Sequence, residues 1–393
     1  MIGSGSGGGR GRRVPLARSM LVHRTGRLAA ALLGVSVAVA VMFAELGFLG
    51  GVHDSLVLPI RALDGDLVIA SRLKDDMNIE KPFPRSRLAQ ARGVTGVESV
   101  TPVYLQSGQW RTPGGPPADL MRVFAVDPDD PGLLPPGLGR EQARRALQRP
   151  EAVLADRLGR AHFAGMHVGR RGELDGRRAE VVGTFALGPD LQMNGSLILG
   201  MQELARRYPS PDGGDRLDRV EFGVVRLQPR AAPEAVASAL ADALPGDVVV
   251  QPPGRLAQRI QWFWLRNQPV GAVFTIGLAV GCAIGTLICY QVLFNLISDQ
   301  LRELATLKAI GHGNGYLRRV ALSQGLLLGV GSFALGLLWS VAGYGLLQRL
   351  TGLTMDLTAA RVGIIALLTV TMCLLAARIA VVRVERADPA ELF

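Results

Sequence analysis

The sequence predicts an α+β membrane protein, with four transmembrane helices and a large external α+β domain inserted between the first and the second. Three observations carry that expectation. Apolar residues are gathered into long runs instead of being spread along the chain. Two of these runs, 269–297 and 320–347, contain no charged side chain. The stretch 51–268 alternates short strand-like and helix-like segments.

A helix needs about 20 apolar residues to cross the hydrocarbon core. The first candidate, 28–50, carries a single acid, Glu45. The second and third are the uncharged runs 269–297 and 320–347. The fourth, 361–382, is interrupted near its end by Arg378. Segment 1–27 precedes the first span with Arg10, Arg12, Arg13, Arg18, Arg24 and Arg27 and no acid. A basic start before an apolar run is also the form of a signal peptide, and Ala38-Val39-Ala40 offers a small-x-small cleavage site. The apolar run continues past it, which favours a retained span.

Basic residues near span ends set orientation. Arg302, Lys308, Arg318 and Arg319 fall in the loop 298–319, and Arg383 and Arg386 in the tail 383–393. The loop 348–360 has only Arg349, at its membrane edge. The expectation is therefore a multi-pass protein of the cell inner (plasma) membrane. Both termini and 298–319 are cytoplasmic, and 51–268 and 348–360 lie outside. The net charge of +10 then faces anionic head groups of the lipid bilayer, and no nucleic-acid partner is needed to explain it.

Within 51–268, a strand at 66–70, a helix at 85–92 and a strand at 97–106 form one unit. A strand at 220–227, a helix at 233–244 and a strand at 247–251 form a second. Strand-helix-strand repeated is the ferredoxin-like split βαβ pattern. The halves are separated by an insert, about 108–218, whose strand candidates at 121–126, 153–154, 180–187 and 196–199 make it mainly β. Pro102 marks its strand as irregular or an edge. Trp262, Phe263 and Trp264 precede the second span, where rings anchor at the lipid interface.

Several chemistries are excluded. The P-loop pattern G-x-x-x-x-G-K-[ST] is absent from these residues, as are His-Glu-x-x-His, Gly-x-Ser-x-Gly and Cys-x-x-Cys. No catalytic, cofactor or metal site is expected. The five histidines are scattered, and His162 and His167 lack metal-ligand spacing. The three cysteines, Cys282, Cys289 and Cys373, all fall in spans and read as small packing residues. Glu45 is an intramembrane carboxylate close enough to the outer end of its span to reach water. Gln291 is expected to bond a neighbouring helix. Gly277, Gly281 and Gly285 share one face and permit close helix approach, within the chain or across a dimer.

The loop 298–319 holds the most informative stretch: Glu303, Leu304, Ala305, Thr306, Leu307, Lys308, Ala309, Ile310 and Gly311. It is a charged, helix-forming segment between two apolar runs. Its wording resembles the coupling segment of ABC transporter permeases of the MacB/FtsX type, and most nearly the DevC-like exporter permeases. Leu16-Ala17-Arg18 with 26–29, Gly34-Val35, the lead-in 297–302 and the ending 387–393 resemble further parts of that pattern.

The resemblance implies a permease subunit of an ATP-driven exporter of a lipid-like or other hydrophobic substrate. A separate P-loop ABC ATPase, holding ATP and Mg, would dock on the coupling segment. Glu303 and Lys308 would offer charges, and Leu304, Leu307 and Ile310 would fill its groove. A membrane-fusion adaptor protein would meet the external domain, and a homodimer would match two ATPase subunits. The alternative is an FtsX-like regulator that transmits the ATPase cycle to an external cell-wall hydrolase. A third class, a membrane enzyme with an external catalytic domain, lacks a catalytic constellation in the sequence.

Overall fold

The computed structural model describes residues 25–115, 117–160, 166–210, 213–299, 314–351 and 355–386. The chain divides into two units: the apolar helices, and a domain made mainly of 48–273.

Four helices are long and apolar enough to cross a membrane, over Ala29–Ser55, Gly271–Asn295, Ala321–Leu350 and Ala359–Val382. They belong to helices α1 (Thr25–Ser55), α8 (Pro269–Asp299), α9 (Asn314–Thr351) and α10 (Ala359–Arg386). Small residues set their packing. A Cβ added at Gly281 would stand 3.3 Å from Met42 of α1, and one at Gly285 2.5 Å from Met372 of α10 and 3.1 Å from Ala38 of α1. The glycine face of α8 therefore packs on both α1 and α10 of the same chain. On α9, Gly336 lies against Val39 of α1, and Gly325 and Gly329 lie against Cys373 of α10. Cys289 and Cys373, both buried, are in thiol contact between α8 and α10.

The external unit contains the ferredoxin-like arrangement. Strand β1 (Leu67–Ser71), helix α3 (Ser86–Arg92) and strand β3 (Val97–Arg111) form one half. Strand β10 (Phe222–Leu227), helix α6 (Pro233–Ala243) and strand β11 (Val248–Gln251) form the other. They pair in the order β11-β1-β10-β3, antiparallel throughout, and a separate antiparallel pair joins β2 (Phe83–Pro84) to β9 (Arg219–Val220). Side chains alternate across a strand, and β1 uses both faces: Leu67 and Ile69 enter one core, Val68 and Ala70 the other. The first core is closed by Leu88 and Ala91 of α3 and by Val236 and Leu240 of α6. The second is closed by Val52 of α1, by Ile60 of the short helix α2 (Leu58–Arg61), and by Leu256, Ile260 and Trp264 of helix α7 (Pro253–Asn267).

The insert is mainly β. Strands β4 (Asp119–Val126), β5 (Ala152–Asp156), β6 (Arg171–Leu174), β7 (Arg177–Phe185) and β8 (Ser196–Gly200) extend the sheet as β3-β4-β8-β5-β7-β6. A further pairing of β6 with Trp110 and Arg111 at the far end of β3 brings the order back to its start. Helices α4 (Arg140–Leu147) and α5 (Met201–Arg207) lie in the same segment. Strand β3 is thus shared, its first half pairing with β10 and its second with β4 from Val103 onward. Pro102 sits just before that second pairing begins, so the strand has one partner there, which a residue with no N–H accepts.

Two expectations are corrected. Residues 253–267 form a regular helix, α7, and Trp264 is 5% exposed in the domain core, so it is no interfacial anchor. In a helix of 3.6 residues per turn, positions 262 and 264 point roughly 200° apart. Trp264 shares a face with Leu256 and Ile260, while Trp262 is 60% exposed. Gln291, expected to bond a neighbouring helix, has an exposed side chain on α8.

Candidate functional site

The coupling stretch 303–311, from Glu303 to Gly311, lies outside the described residues, as does His162. Its two flanks are the end of α8 at Asp299 and the start of α9 at Asn314. Glu45 is half-buried in α1 and is set against Gly277, where an added Cβ would come within 2.7 Å of the carboxylate. The glycine makes the room that the carboxylate fills. Among the described residues no group of three or more metal-ligating side chains comes together.

Among the described residues, a dense arrangement of buried polar groups lies in the external unit, around the loop from Arg72 to Pro82 that follows β1. Lys74 is completely buried, and its ammonium has three acceptors. Glu221 stands at 2.5 Å, the carbonyl of Ile79 at 2.7 Å and that of Met77 at 3.2 Å. These use the three donors of an ammonium, and the ring of Phe222 lies beneath it at 5.4 Å. Glu221 also accepts from the Lys81 amide at 3.0 Å. Burial pushes the Lys74 pKa below its usual value, against the opposing pull of Glu221. A buried charge is tolerated only when paired and hydrogen-bonded, and this one is both.

A second buried pair joins Arg122 of β4 to Asp190, which are 2% and 1% exposed. Asn78 completes it, donating to Asp190 at 3.0 Å and accepting from Arg122 Nε at 3.1 Å. Burial works to raise the Asp190 carboxyl. Arg122, Asn78 and the amides of Met193 and Gln192 outweigh it and hold the group below the ordinary carboxylate value. The loop also reaches α7. Arg259 bonds Asp75 at 3.1 Å and the carbonyls of Arg72 and Lys74 at 2.9 and 2.7 Å. Trp264 donates its indole N–H to Asp76 at 3.1 Å.

Sequence reading passed over these residues. Arg72, Lys74, Asp75, Asp76, Glu80 and Lys81 make 72–81 look like a solvated loop, because charged side chains are rarely buried. The available signal was Arg122, a lone charge inside the apolar strand 121–126, whose inward position demands a buried acid.

The residues 28–243 match the MacB-like periplasmic core domain, and 272–389 match the FtsX-like permease C-terminal domain. No curated protein matches the chain. Among solved structures, the periplasmic region of MacB from Actinobacillus actinomycetemcomitans is 16% identical. It covers 51% of this chain and 95% of its own, with a TM-score of 0.35. The extracellular domain of the noncanonic ABC-type transporter YknZ from Gram-positive bacteria is 14% identical, over 47% of this chain and 98% of its own, at a TM-score of 0.33. A domain of a putative permease protein from Porphyromonas gingivalis is 15% identical, over 48% and 90%, at 0.31. With TM-scores this low, the two domain matches carry the assignment. The MacB-like core spans more than half of the chain and the FtsX-like domain follows it, so the chain belongs to the ABC transporter permeases of the MacB/FtsX type, multi-pass membrane proteins with a large periplasmic-type domain between the first and second spans.

Proposed function

We propose that this permease is the membrane subunit of a DevC-like exporter. It couples ATP hydrolysis on a separate P-loop ATPase to movement of its external domain, driving export of a lipid-like or other hydrophobic substrate through a membrane-fusion adaptor. The observation that carries the reading is the pairing, on one chain, of the MacB-like core with the FtsX-like C-terminal domain around four apolar helices. ATP and Mg belong to the partner, which docks on 303–311 from the cytoplasm, the side of both termini. A homodimer supplies one docking loop to each of two ATPase subunits. Glu303 and Lys308 provide the charges of the contact.

The test is recovery of the tagged chain from mild detergent with mass spectrometry of what accompanies it. A P-loop ATPase should co-purify with the parent chain and be lost from the Glu303→Arg/Lys308→Glu variant. Undiminished recovery with that variant would overturn the docking assignment. Loss of the subunit that alters cell-wall cleavage and leaves lipids unchanged would favour the regulator over the exporter.

A further inference from the structure

We propose that the loop 72–82 is a rigid joint, which makes α7 and the insert of the external domain move as one piece. The inference rests on the permease reading only for what the joint transmits.

Every residue from Lys74 to Lys81 makes a hydrogen bond through its side chain or main chain, and the partners outside the loop lie on α7, β3 and β4, at Glu221 and at Asp190. At one end, Asp75 and Asp76 hold Arg259 and Trp264 of α7, the helix that runs through Gln268 into α8. Lys74 and Lys81, on either side of these residues in the loop, both bond Glu221, which immediately precedes β10. At the other end, Asn78 holds Arg122 of β4 and Asp190 of the insert. Glu80 accepts from the side chain of Gln106 at 3.2 Å and the amide of Ser107 at 3.1 Å, where β3 passes into the insert. Residues with no regular secondary structure are usually mobile, because few buried contacts hold them. Here Lys74, Asp76 and Met77 are almost wholly buried. Charge-assisted bonds at both ends replace the backbone ladder that a strand would supply. Arg259, Trp264, Asn78 and Arg122 are thereby positioning residues. They add a directed polar link, through one short segment, to the apolar core that Ile260 of α7 shares with Phe185 and Ile198 of the insert.

The test is hydrogen exchange of the full chain in lipid nanodiscs, read by mass spectrometry, with one mild substitution at each end. Trp264→Phe keeps an aromatic ring in the core and removes the bond to Asp76 together with part of the indole's volume. Asn78→Ala leaves the Arg122–Asp190 pair in place and removes the side-chain link from the loop to that pair, while Glu80 still holds Gln106 and Ser107. For a joint, each should raise exchange at the far end as well as its own: Asn78→Ala in α7, and Trp264→Phe in the segment 187–195, by about ten-fold in either case. Helix α6, which has no bond to the loop, should be unchanged. Effects confined to the substituted end would overturn the proposal. So would an equal rise in α6, since the coupling would then be general destabilisation. The chain is measured without its ATPase, so failure of the permease reading leaves this result intact.

Discussion

Gly336 on α9 is where the helix bundle should be least forgiving. A methyl there would stand 2.6 Å from Val39 Cγ1, 2.7 Å from Val39 Cβ and 3.1 Å from the Ser36 carbonyl. Carbon atoms rest at about 3.5–4.0 Å, so Gly336→Ala must push α9 and α1 apart by about 1 Å. The obstruction is a Cβ and a main-chain carbonyl, neither of which can swing aside. Overpacking of this kind costs about 1–3 kcal/mol, partly offset by the gain of about 1 kcal/mol when alanine replaces glycine in a helix. Gly343, two turns further along α9, is the internal control, with no atom within 4 Å of an added Cβ. Gly343→Ala should keep the propensity gain alone. The two variants should therefore differ by about 1–3 kcal/mol, with Gly336→Ala the weaker. Reversible unfolding in mixed detergent-SDS micelles, followed by tryptophan fluorescence, measures the difference. Equal stabilities would refute the close approach of α9 to α1.

Two further outcomes follow from the external unit. Trp262 is 60% exposed, with the Arg266 guanidinium 5.5 Å from its ring, and α7 leads directly into a span. In vesicles containing brominated lipid, and in a Trp339→Phe background, its fluorescence should be quenched. The quenching should vanish in Trp262→Phe, whereas its persistence would remove Trp262 from the interface. Asp190 is held below the usual 3.8, so its ionised form favours the folded state. That contribution is complete above the unfolded value and is lost as pH falls through the folded one. Asp190→Asn should lower Tm at pH 7 and flatten its decline below about pH 5, and an unchanged slope between pH 5 and 3 would show that the carboxylate gains nothing from Arg122.

The sequence made the spans and the split βαβ unit legible for one physical reason: both are written as local apolar patterns. Long runs without charge can only be buried or placed in lipid, and residues 66–70, 97–106 and 220–227 are short segments rich in β-branched and other apolar residues. Strand β6 was missed because Arg171-Gly-Glu-Leu174 has no such pattern. It is a strand because Trp110 and β7 flank it. Trp264 was misplaced because a run of three rings before a span looks the same whether it meets lipid or a core. Only the helical phase set by Leu256 and Ile260 separates the cases. The coupling stretch is different again. Its identification rests on wording, and none of its nine residues lies in the described structure.

The buried pairs around the loop 72–82 cannot be explained by stability alone. Replacing a buried ion pair with well-packed apolar residues is often neutral or stabilising, because two desolvation penalties vanish with the attraction. An apolar contact, however, fixes area and leaves direction loose, so two surfaces can slide while remaining buried. The Lys74 ammonium satisfies Glu221, Met77 and Ile79 in one geometry, and the Arg122 guanidinium meets Asp190 and Asn78 in another. Any sliding would strand a charge in the interior. A domain that only had to persist would have little use for such contacts. One that must carry displacement from α7 to the insert without losing it needs a segment that cannot slip.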